Sequence, residues 1–65
     1  MEKDWVKIFE SNSLQEVEIT KGMLAENNIA AVILNKKDST YGSFGIIELY
    51  VRRENVLSSY NLMGK

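Results

Sequence analysis

The sequence predicts an α+β domain whose elements run β-α-β-β-α. Two observations carry this reading. Three short apolar runs, at 4–10, 29–34 and 46–51, have the length and residue types of strands. Two intervening or trailing segments, 13–27 and 53–63, instead repeat their apolar residues at helical spacing. With 65 residues there is room for one core and no second domain.

Residues 4–10 are dense in β-formers (Trp5, Val6, Ile8, Phe9) and end at the polar turn cluster Ser11-Asn12-Ser13. Simple alternation puts Val6 and Ile8 on one face and Trp5, Lys7 and Phe9 on the other. Ser13 and Glu16 then stand at capping-box spacing, the Ser13 hydroxyl accepting from the Glu16 amide while Glu16 reaches back. Leu14, Val17, Lys21 and Leu24 trace the expected inner stripe, flanked by Thr20 and Met23, with the Lys21 stem lying along it and Ile19 off it. Gly22 costs up to about 1 kcal/mol against Ala in a helix interior; its expected use is close packing of helix on sheet. Asn27-Asn28 suits a left-handed C-cap.

The run 29–34 (Ile-Ala-Ala-Val-Ile-Leu) reads as a buried strand, and 35–45 as a polar, glycine-containing connection. In 46–51, Ile47, Leu49 and Val51 share one face; Ile46, Glu48 and Tyr50 share the other. The last helix is weaker. Val56, Leu57, Tyr60 and Met63 can cluster, but there is no good N-cap, and fraying is expected towards Gly64-Lys65.

Composition narrows function. A chain this short buries only roughly 60% of its unfolded surface, so reinforcement is expected from disulfides, metals or self-association. Cysteine and histidine are both absent, which removes disulfides, thiolate zinc sites, the commonest general base and any Ser/His or Cys/His nucleophile. Self-association remains. The acids are scattered over predicted surfaces, and so small a domain encloses little, so no enzyme, catalytic residue, metal or cofactor is expected. Eight Lys and Arg face nine Asp and Glu, a net charge of −1. The basic pairs Lys36-Lys37 and Arg52-Arg53 each adjoin an acid, Asp38 and Glu54, so no basic stripe forms and no nucleic-acid partner is expected. The first residues are charged, and no apolar run nears the roughly 20 residues of a membrane span. A cytoplasmic location without a membrane partner is the expectation.

Trp5-Val6-Lys7-Ile8-Phe9, Val17-Glu18-Ile19, Lys21-Gly22-Met23-Leu24-Ala25-Glu26-Asn27-Asn28-Ile29 and Leu49-Tyr50-Val51 together resemble a small bacterial family. That family is catalogued as a domain of unknown function and described as a prokaryotic signal-transducing protein. The resemblance spans nearly the whole chain, but its motifs are structural and carry no chemistry. Asn28 stands where the family often has Gly, and still suits a left-handed cap. The family in turn is similar in fold to the PII nitrogen-regulatory proteins, which are ferredoxin-like and carry a regulatory loop between their second and third strands. The resemblance implies a two-layer ferredoxin-like sandwich lacking its last strand, with sheet order 1-3-2 and both helices on one face.

Two candidate sites follow. If Ile47, Leu49 and Val51 face the helices, then Trp5, Phe9, Ile46 and Tyr50, with Lys7 and Glu48, form an open sheet face. An aromatic patch of that kind suits a homo-oligomer or a protein partner. The second is the 36–45 loop, where Lys36, Lys37, Tyr41, Gly42 and Gly45 offer positive charge, backbone amides and a modifiable phenol to a small anionic ligand. Lys7 with Glu48 reads as a cross-strand pair, and Arg52-Arg53 with Glu54 as solvated surface. The leading expectation is a non-catalytic regulatory or protein-interaction module that self-associates through its sheet. The alternative is a ligand sensor built on the loop.

Overall fold

The computed structural model describes residues 4–35 and 46–64. In chain order they form β1 (Trp5–Ser11), α1 (Leu14–Glu26), β2 (Ala31–Asn35), β3 (Ile47–Arg52), a 3-10 turn over Arg53–Asn55, and α2 (Val56–Leu62). Both β1 and β2 pair antiparallel with β3, giving the order β1-β3-β2. This is the split β-α-β order of a ferredoxin-like sandwich without its fourth strand. Both helices lie on one face, α1 against all three strands and α2 against β1 and β3.

The core sits between these layers. Ile47, Leu49 and Val51 alternate along β3 and are sealed against Val17 and Leu24 of α1, with Ile8 and Ile29 completing the cluster. Burying each such side chain contributes about 1.5–3 kcal/mol. Phe9, Met23, Ala31, Ile33, Val56, Tyr60 and Met63 pack around it, half-buried.

The caps of α1 explain its bounds. At its start the Ser13 hydroxyl accepts from the Glu16 amide at 3.3 Å, as predicted. The other half of the expected box differs: the Ser13 amide donates to the Ser11 hydroxyl at 3.0 Å. At its end Asn28 adopts φ +64°. The Ile29 amide reaches back to the Leu24 carbonyl (2.9 Å) and the Asn28 amide to that of Ala25 (3.0 Å). This is the Schellman pattern, and its partner residues Leu24 and Ile29 are both buried. Ile29 therefore belongs to the cap, and β2 begins two residues later than the apolar run suggests.

Three expectations are corrected here. Gly22 is exposed, and a Cβ there would meet nothing within 4 Å, so it permits no close helix–sheet approach. Leu14 and Lys21 face solvent, which narrows the inner stripe of α1 to Val17 and Leu24 with the half-buried Thr20 and Met23. In α2, Leu57 is exposed, while Ser59 is fully buried with its hydroxyl donating to the Asn55 carbonyl at 2.7 Å. That internal bond lets a polar residue occupy an apolar layer at little cost. Neither the 3-10 turn nor α2 has a side-chain cap; the turn is instead tied down by the Arg53 amide, which donates to the Asp4 carbonyl at 2.6 Å.

Candidate functional site: the sheet face away from the helices

The sheet face away from the helices is covered by no helix or strand among the described residues. The strand register arranges it in three rungs. Trp5 pairs with Arg52; Lys7 with Tyr50 and Val32; Glu10 with Glu48 and Leu34. Trp5, Tyr50 and Leu34 are half-buried, and Val32 is 37% exposed. Ile46 immediately precedes β3 and is 39% exposed.

Phe9 does not belong to this face. The β1–β3 register shifts between Lys7 and Phe9, so Ile8 is an extra residue in β1. Such a bulge inverts the alternation beyond it. Phe9 consequently opposes Leu49 and packs against the core, while Glu10 turns outward beside Glu48. Of the predicted patch, Trp5 and Tyr50 stay together on the open face, with Ile46 beside the start of β3. The loop residues Lys36, Lys37, Tyr41, Gly42 and Gly45 lie outside the described residues.

Four polar groups form a cluster in the middle and lower rungs. Glu48 is only 6% exposed. Its Oε1 accepts from the Tyr50 hydroxyl at 2.9 Å and its Oε2 lies 3.5 Å from Lys7 Nζ. Lys7 Nζ makes a shorter contact, 2.8 Å, to Glu10 Oε1. A buried carboxylate is costly unless hydrogen-bonded and charge-compensated, and Tyr50 and Lys7 supply both. The ionised Glu48 in turn holds the Tyr50 hydroxyl above its ordinary value of 10.0, chiefly through the hydrogen bond between them, with burial adding to it. Lys7 is raised above 10.5, first by its hydrogen bond to Glu10. The predicted Lys7–Glu48 pair thus exists as the longer arm of a three-residue network.

At the upper rung, the Arg52 guanidinium sits 5.7 Å from the centroid of the Trp5 ring and 4.0 Å from Asp4. Stacking of this kind at an exposed site contributes about 0.5–1 kcal/mol. The face is therefore polarised along the strands: Arg52 over an aromatic ring, at the limit of ion pairing with the exposed Asp4, at one end, and two carboxylates sharing Lys7 at the other.

Val32, Leu34, Glu10 and Arg52 were absent from the predicted patch. The signals for them were present. In Lys7-Ile8-Phe9-Glu10 an apolar doublet sits between two charged residues, a pattern strict alternation cannot satisfy and a bulge can. For β2, two helices on a single face of the sheet leave the other face of its apolar run turned away from them.

Among the described residues, no helix is long and apolar enough to cross a membrane. The chain matches no family model, no curated protein and no solved structure.

Proposed function

We propose that this protein is a non-catalytic regulatory or protein-interaction module that self-associates through the face of its sheet away from the helices. One observation carries this reading: a sheet face with no described helix or strand over it, bearing Trp5, Tyr50, Val32 and Leu34. Contiguous apolar surface of this kind is uncommon on a chain that works alone. A three-stranded sandwich with a small core also gains stability when a second copy dries its other face. The absence of histidine and cysteine from the sequence favours binding over catalysis. The resemblance to a family described as signal-transducing favours a regulatory setting.

Light scattering from micromolar concentrations up to about 1 mM tests the proposal. The wild-type mass should rise with concentration towards that of a dimer, and Trp5→Ser should hold the chain monomeric. A strictly monomeric wild-type mass that Trp5→Ser leaves unchanged rules the reading out.

A further inference from the structure

We infer that the partner for this face is a second copy of the chain, packed sheet to sheet with its strands running in the opposite direction, so that Arg52 of each copy meets the partner's exposed Glu10. This inference rests on the self-association reading and adds its symmetry and contacts.

Two identical sheets stacked face to face are related by a two-fold axis lying between them, and aligned packing keeps the strand directions within about 30° of parallel or antiparallel. Two orientations of the axis remain. An axis along the strands lays β3 over the partner's β3 in the same direction. Arg52 then stacks on Arg52, and the Glu48 rung on the Glu48 rung, so like charges meet at both ends. An axis across the strands reverses one copy and lays each cationic end over an anionic end. The register makes the match explicit, because the Trp5–Arg52 rung and the Glu10–Glu48 rung flank the middle rung of Lys7, Tyr50 and Val32 on opposite sides.

The middle rung lies on that axis. There Val32 faces the partner's Val32 and Tyr50 its own counterpart, with Leu34 alongside. Lys7 also approaches its counterpart, but it is shared by Glu10 at 2.8 Å and Glu48 at 3.5 Å, so that cluster keeps one more carboxylate than cations. Size sets the expected strength. Three strands about 4.8 Å apart and about 15–20 Å long give a footprint on the order of 300 Å² per copy. That is below the standard interface, so the dimer should be weak, with a Kd in the micromolar range or above.

Charge reversal tests this in a form that misfolding cannot mimic. Arg52→Glu in both copies sets a new carboxylate against the partner's Glu10, and Glu10→Arg in both copies sets a new guanidinium against the partner's Arg52. Each variant alone should lose association at least tenfold in sedimentation equilibrium. A one-to-one mixture should regain it, because both cross-contacts are then attractive. Positions 10 and 52 lie at opposite ends of the face, roughly 13 Å apart along the strands, so the recovery has to come from across the interface. Circular dichroism confirms that each variant is folded. For a variant that is not, Val32→Cys serves: the chain has no other cysteine, and residue 32 meets its own counterpart only with the axis across the strands. A bis-maleimide spanning about 10 Å, the spacing of stacked sheets, should then link two copies efficiently. A wild type that dimerises while the mixture recovers nothing, or while Val32→Cys stays unlinked, overturns the antiparallel geometry and leaves self-association standing. A wild type that stays monomeric to about 1 mM, beyond the weak range expected, overturns both.

Discussion

The two faces of one three-stranded sheet solve different problems. On the helix side, β3 contributes Ile47, Leu49 and Val51, all essentially inaccessible, in a cluster of apolar side chains beside the internally bonded Ser59. On the other side the same strand contributes Glu48, Tyr50 and Arg52, whose contacts are hydrogen bonds, ion pairs and a stacked ring. The first face is stabilised by removing apolar area from water, which needs only closeness. The second is held by directional contacts in which half-exposed groups surround the buried Glu48 carboxylate. Stability should therefore concentrate on one face, and association on the other.

The sharpest way to break this comparison is at Leu49, fully buried at the centre of β3. Leu49→Ala should cost about 2–5 kcal/mol, enough to unfold so small a domain at room temperature, read as loss of the urea transition. An ordinary folded baseline would mean that the core is not where the structure puts it.

Phe9 and Trp5 test the bulge directly. Both are half-buried aromatics on β1, yet they lie on opposite faces. Phe9→Ala should cost about 2–3 kcal/mol, somewhat less than for a sealed ring, whereas Trp5→Ala should cost under about 1 kcal/mol. The measurement is the urea midpoint in dilute protein, where association adds nothing to stability. Equal losses would show that no inversion occurs at Ile8.

Gly22 sharpens the comparison from the outside of the helical layer. With open space around its Cβ position, Gly22→Ala should raise stability by up to about 1 kcal/mol, seen as a higher thermal midpoint. A drop would mean that something packs on that side of α1.

The smallest effect is on the open face and depends on pH. Tyr50 has its pKa raised in the folded state by its bond to Glu48. Its contribution is therefore complete below the ordinary value of 10.0 and is lost as pH rises through the folded value. Lys7, also raised, acts with the same sign. Urea midpoints should hold up to about pH 10 and fall as pH rises further, and Tyr50→Phe should flatten part of that fall. An unchanged slope would show that the Tyr50–Glu48 bond does not persist in solution.

Much of the molecule was legible because its signals are local. The α1 start follows from a hydroxyl and an amide three residues apart, its end from Asn28 accepting a left-handed backbone, and the inner face of β3 from alternation over six residues. Whether Gly22 is close-packed was not legible, since that depends on where α1 rests on the sheet. The position of Phe9 hinged on its pairing with Leu49, far along the chain, because a bulge exists only relative to a partner strand.

By itself, the sequence determined the element order, the caps of α1, the buried row on β3 and the lack of histidine and cysteine chemistry, all set by neighbouring residues or by composition. Pairing between strands placed particular side chains together on the face away from the helices and separated its charges along the strands. The physical reason is that side-chain direction is inherited from register, and register is settled by contacts between strands that the chain order keeps far apart.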